Sequence, residues 1–137
     1  MDPHKLLVAP PETSVTTAAN MMETSKAGAV MVVESNRLVG IFTERDAVFR
    51  VIAKGLDPTS TPLVDVMTTA LFTVSPYESL GYAMLVMYEN GFRHMPVVVN
   101  GEPVGIVSAR NALDPDLEEF AYEEHRRKNI RRFAEDV

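Results

Sequence analysis

The segment Val39-Gly40-Ile41-Phe42-Thr43-Glu44-Arg45-Asp46 returns later in the chain as Val104-Gly105-Ile106-Val107-Ser108-Ala109-Arg110-Asn111. The offset is 65 residues, and it extends well beyond these eight positions. Comparing 11–48 with 76–113 without gaps gives 11 identities in 38 positions. Among them are Pro11/Pro76, Ser14/Ser79, Ala18/Ala83, Met22/Met87, Val32/Val97 and Val33/Val98. A repeat of fixed period marks a structural unit that buries its apolar face against its own copy.

Each copy has one order of elements. Leu6-Leu7-Val8 and Leu71-Phe72-Thr73-Val74 read as short strands closed by proline. A helix follows, capped in the first copy by Thr13 or Ser14, with Val15, Ala18, Ala19 and Met22 on its apolar face. In the second copy Ser75 and Glu78 have the spacing of a capping box, with Pro76 at the first helical position. Asn90-Gly91 suits a left-handed helix stop. Two β-branched apolar runs come next, 29–33 and 94–99, then turns at 35–37 and 100–102, then 38–42 and 103–107. A second helix is predicted from Thr43 to about Lys54, stopped by Gly55, with its copy starting near Ser108.

The expected fold is therefore α+β: two β-α-β-β-α repeats related by a pseudo-twofold axis, 1–60 and 61–113, with a C-terminal helix in 114–137. That last helix, from about Pro115 to Phe133, is acidic first and basic later, which complements its macrodipole. Repeats of about 55–65 residues are marginal alone, so the two should pack on each other. Apolar residues make up 46% of the 137, enough for a core.

Composition narrows the function. A net charge of −6 argues against a nucleic-acid binder, which needs an excess of Lys and Arg at phosphates. With no Cys there is no disulfide, thiolate nucleophile or cysteine metal site, and only His4, His94 and His125 offer imidazole. No run approaches the ~18 apolar residues of a membrane span, and the N-terminus lacks a secretion signal. A soluble, cytoplasmic protein is expected. No nucleophile stands beside a base, and there is no metal-ligand cluster and no Walker loop, so an enzyme is not expected.

The segment Gly40-Ile41-Phe42-Thr43-Glu44-Arg45-Asp46 resembles the signature of CBS repeats, Gly, two apolar residues, Thr or Ser, two variable residues, Asp. Arg93-His94-Met95-Pro96-Val97-Val98, followed by Gly105-Ile106-Val107-Ser108-Ala109-Arg110-Asn111, resembles the second half of another copy. Asp65-Val66-Met67-Thr68 is similar to the usual lead-in to a repeat. The resemblance covers residues 5–113. It implies a paired module that holds AMP, ADP, ATP or S-adenosylmethionine in clefts between the repeats, and that stacks as a homodimer.

On that reading Thr43 stands where a helix N-terminus offers free N–H groups, and its hydroxyl can meet a phosphate. Asp46, about one turn on, can accept the ribose hydroxyls. Both residues equally suit a purely structural capping box. Asn111 replaces the carboxylate in the second copy while Ser108 keeps the hydroxyl, so one good site and one weak or empty site are expected. Arg93 and His94 stand opposite the uncharged Gly28 and Ala29 of the first copy. They suit phosphates, with Arg45 and Arg110 as helpers; a solvated strand end and a structural histidine are the plainer alternatives. Val32 and Val97 are candidates for an adenine slot, or simply for the core. The methionines of the first helices read as core and dimer interface.

The expected function is a stand-alone regulatory module that binds an adenine nucleotide, needs no resident cofactor or metal, and signals to an unidentified protein. The alternatives are a ligand-free dimerisation module and a sensor of S-adenosylmethionine or NAD.

Overall fold

The computed structural model describes residues 6–109. Arg110, Asn111 and the expected C-terminal helix lie outside the described residues, as do His4 and His125. Two sheets of the same design succeed one another. In the first, β1 (Val8–Ala9) runs parallel to β2 (Ala29–Glu34), which pairs antiparallel with β3 (Arg37–Thr43). Helix α1 (Val15–Ser25) lies between β1 and β2 in the chain. Helix α2 (Glu44–Asp46) follows β3 directly and continues as a π-helical stretch, Ala47–Ile52. The second half repeats the plan with α3 (Leu80–Asn90), β4 (His94–Val99) and β5 (Glu102–Ser108).

The two halves agree to the level of register. Val32 pairs with Gly40 and Val97 with Gly105. Each hairpin carries a bulge at the next step, between Val32 and Val33 and between Val97 and Val98. Ala9 lies beside Val32, and its counterpart Val74 makes a parallel bridge to Val97. Val74 is thus all that forms of the strand expected at 71–74. The hairpin turns are Ser35-Asn36 and Asn100-Gly101, all at positive φ, as tight two-residue turns between twisted strands require.

The helix starts obey the repeat rather than the local motif. Ser14 caps α1 by accepting from the Thr17 N–H, and Ser79 caps α3 by accepting from the Tyr82 N–H. The capping box expected at Ser75 and Glu78 does not form. Ser75 instead opens a turn, its Oγ accepting from the Tyr77 N–H and its carbonyl from the Glu78 N–H. The chain needs that turn to leave the Val74 bridge before it can start a helix. Gly91 closes α3 at φ 74°. The second helix also departs from expectation, because most of it has π rather than α geometry.

Each half has its own core. Val30, Val32, Phe42, Val51 and Leu63 fill the first; Met95, Val97, Val107, Ala83 and Met87 fill the second. Leu63, Val66 and Met67 open the second repeat in sequence yet pack in the first core. Residues 61–68, the linker that leads into the second repeat, are stitched there by backbone bonds from Leu63 N–H to Thr13 O, Val64 N–H to Pro11 O, and Val15 N–H to Thr61 O. Thr68 and Ile41 exchange both backbone bonds, at 2.8 and 2.9 Å. Gly40 makes room for this, since a Cβ there would sit 2.5 Å from Met67 Sδ. The halves also touch at the hairpin tips, where Leu38 N–H donates to Gly101 O at 2.9 Å.

Candidate functional site

A cleft of about 380 Å³ opens where the two halves meet. One wall is the β3–α2 junction and the helix after it: Ile41, Thr43, Glu44, Arg45, Asp46, Phe49 and Arg50. The other is the end of α3 and the start of β4: Gly91, Phe92, Arg93 and His94. Thr68, from the linker, completes the lining. Three guanidinium groups face two carboxylates, so the cleft leans positive within a chain of net charge −6.

Thr43 and Asp46 form a reciprocal capping box. The Asp46 N–H donates to Thr43 Oγ1 at 3.2 Å, and the Thr43 N–H donates to Asp46 Oδ2 at 3.0 Å. The box holds the carboxylate at the cleft. The carboxylate is nevertheless busy. Oδ2 also accepts from the Thr43 hydroxyl at 3.2 Å. Oδ1 accepts from Thr68 Oγ1 at 3.0 Å and lies 3.4 Å from Arg50 Nε. A carboxylate offers about four lone-pair positions, and here three hydrogen bonds and an ion pair with Arg50 engage it. The side chain is 8% exposed.

Arg45 reaches forward along its helix, its guanidinium 5.7 Å from the centre of the Phe49 ring, a cation–π contact. Arg93 is exposed, and its carbonyl accepts from the Ala109 N–H. His94 faces Gly28 of the other repeat, with Glu44 Oε1 at the same place. The cleft thus gathers hydroxyls, guanidinium groups and an imidazole around a partly apolar wall. Such a set suits an anion with a flat or apolar body.

Five residues singled out in the sequence line this one cleft: Thr43, Arg45, Asp46, Arg93 and His94. Ser108 does not line it; it pairs with His94 across the β4–β5 ladder. Val32 and Val97 do not form an adenine slot in this cleft. Both are buried in the two cores, because their strand positions point toward the helices. Glu44, Phe49, Arg50, Thr68 and Phe92 are cleft residues that sequence reasoning passed over. Phe49 and Arg50 carried a usable signal, one helical turn after Arg45 and Asp46. Thr68 carried none, since a linker residue reaches the cleft only through the fold. Among the described residues no group of three or more His, Asp or Glu is placed to hold a metal ion, and no helix is long and apolar enough to cross a membrane.

Comparison with known proteins gives the architecture relatives. The CBS domain-containing protein YhcV of Bacillus subtilis is 37% identical over 98 residues, 72% of this chain and 69% of that protein. A crystal structure of an uncharacterized conserved protein from Pyrococcus horikoshii superposes with a TM-score of 0.76 at 32% identity, covering 85% of this chain and 87% of that one. The CBS domain protein PAE2072 from Pyrobaculum aerophilum, solved as a complex with AMP, has a TM-score of 0.76 at 24% identity, covering 89% and 94%. Other relatives are longer: the chain spans about half, 54%, of an archaeal one and 16% to 20% of several eukaryotic ones. The family model of the CBS domain matches twice, over residues 1–53 and 63–116, and the chain belongs to the CBS-domain family.

Proposed function

We propose that this chain is a regulatory CBS pair that binds an adenine nucleotide, AMP, ADP or ATP, in the cleft between its repeats and passes occupancy to a partner protein. The observation that carries the reading is the convergence of Thr43, Arg45, Asp46, Arg93 and His94, from both repeats, on one cleft. Its volume, about 380 Å³, lies in the range of small-molecule sites. Arg93 suits the phosphates, Asp46 the ribose, and Ile41 and Phe92 the base. The AMP complex of a protein of the same fold supports the ligand class. A ligand held by both walls binds some arrangements of the repeats better than others, and that difference is what a partner can read.

Isothermal titration of the purified chain with AMP, ADP, ATP, NAD and S-adenosylmethionine tests this reading. Saturable heat with an adenine nucleotide is expected. No heat and no thermal stabilisation with any of them at millimolar concentration would remove it.

A second reading, a dimerisation module without ligand, draws on the helix surface. Val48, Phe49 and Ile52 are 47%, 59% and 71% exposed on one π-helical stretch, an apolar strip that a second copy of the chain would cover. Sedimentation with and without nucleotide separates the two readings. A dimer indifferent to every nucleotide favours the second.

A further inference from the structure

Asp46 joins two parts of the molecule by its two oxygens. Oδ2 belongs to the helix start: both of its donors come from Thr43. Oδ1 belongs to the linker. It accepts from Thr68 Oγ1 at 3.0 Å and forms an ion pair with Arg50 Nε at 3.4 Å, and Arg50 Nη1 in turn donates to Met67 O at 3.1 Å. The linker they hold runs from the first repeat to the second, with Met67 and Val66 seated in the first core.

A new hydroxyl arriving at Asp46 Oδ1 competes there with the Thr68 hydroxyl and the Arg50 ion pair. The Thr43 N–H is the worst to lose, because it would leave a half-buried N-cap amide without a partner. The Thr68 hydroxyl is the easiest. It lies at the cleft, is half-buried, and can turn to water. Arg50 is 51% exposed but keeps a charge attraction to the carboxylate.

We propose that Thr68 is a latch: a ligand hydroxyl bound by Asp46 displaces the Thr68 hydroxyl from Oδ1 and loosens residues 61–68, the junction between the repeats. The proposal rests on nucleotide binding in this cleft and adds the route by which occupancy leaves it. The ligand and the linker compete for one oxygen, so filling the cleft weakens the hold on the linker, and holding the linker weakens the site.

The test uses the full chain with AMP, and with ATP in parallel. Hydrogen exchange of the wild-type protein is followed at the Thr68 and Ile41 amides, which pair with each other across this junction. Both should exchange faster with ligand, while the amides of β2 do not. Thr68→Val removes the competing donor at nearly constant shape and should bind about 5-fold tighter, the equivalent of one hydrogen bond. Thr68→Ser keeps the donor and should bind like wild type. If wild type binds AMP or ATP but the two amides are unmoved, or Thr68→Val binds no tighter, the latch is wrong and the nucleotide reading stands. If neither wild type nor Thr68→Val binds either nucleotide, the nucleotide reading falls and takes the latch with it. The exchange measurement needs no variant, so a Thr68→Val chain that failed to fold would still leave a decision.

Discussion

Gly28 of the first repeat is fitted to His94 of the second: a Cβ on Gly28 would lie 3.0 Å from His94 Cε1 and 3.1 Å from its Nε2. The same Cβ would lie 2.5 Å from Glu44 Oε1. The repeat offset pairs Gly28 with Arg93 and Ala29 with His94. Small residues on one side of the module therefore leave room for large ones from the other, and the two halves can meet closely only because they differ here.

Gly28→Ala should accordingly disturb the cleft more than the fold. The groups it meets are the ends of side chains, one of them on an exposed residue, and they can move. A loss of about 1 kcal/mol in urea unfolding is expected, the low end for overpacking. Nucleotide affinity, measured by titration, should fall further than this stability change implies, because His94 and Glu44 are pushed into the cleft.

Gly40→Ala should behave in the opposite way. Its Cβ would meet Met67 at Sδ, Cγ and Cε, 2.5 to 3.0 Å away, inside the first core. Met67 is nearly buried and anchors the linker. Destabilisation of about 1–3 kcal/mol by chemical denaturation is expected, with faster hydrogen exchange at the Ile41 and Thr68 amides.

Asp46→Ala removes the acceptor for the Thr43 amide, the Thr68 hydroxyl and the Arg50 guanidinium together. A loss of about 2–4 kcal/mol is expected, being a cap plus a partly buried charged hydrogen bond. Thr43→Ala, which removes the hydroxyl and a methyl but leaves the carboxylate in place, should cost about 1 kcal/mol. Equal, small losses for both would show that the network adds nothing beyond the cap.

Arg93 contributes charge to the cleft but little packing. Arg93→Ala should leave the unfolding midpoint unchanged and weaken ATP binding about tenfold, with a smaller effect on an uncharged adenosine probe. The loss should shrink as salt is raised, since an exposed guanidinium is screened. Equal loss for ATP and adenosine would assign Arg93 to the shape of the cleft rather than to phosphate.

Asp57 gives a test away from the cleft. The Thr59 hydroxyl donates to its Oδ1 at 2.7 Å and the Thr59 amide at 2.9 Å, and these bonds hold its carboxyl below the ordinary aspartate range. A folded-state value below the unfolded one means the turn's contribution is present at neutral pH and is lost as pH falls through the folded value. Carboxyl-carbon NMR titration should find Asp57 among the low values, and Thr59→Ala should return it toward the ordinary one.

Much of the fold is written locally in the sequence. The repeat at offset 65 gave the element order, the hairpins and the equivalent caps Ser14 and Ser79, because periodicity, turns and caps are local and each copy restates the other. The same local chemistry misled at Ser75, whose spacing to Glu78 is good but whose backbone must first leave a strand bridge. Of the ten residues that the family resemblance singles out, Thr43, Arg45, Asp46, Arg93 and His94 line one cleft, whereas Ser108, Val32 and Val97 do not.

What the chain alone determined is the composition of each half: which residues are apolar, which turn, and which cap. Only tertiary structure decided how the halves share the linker, why Val32 and Val97 face the cores, and that Thr68 closes on Asp46 from 22 positions away. The physical reason is range. Caps and periodic faces act within a turn or two of backbone, whereas a carboxylate's partners are chosen by whatever the completed packing brings within 3 Å.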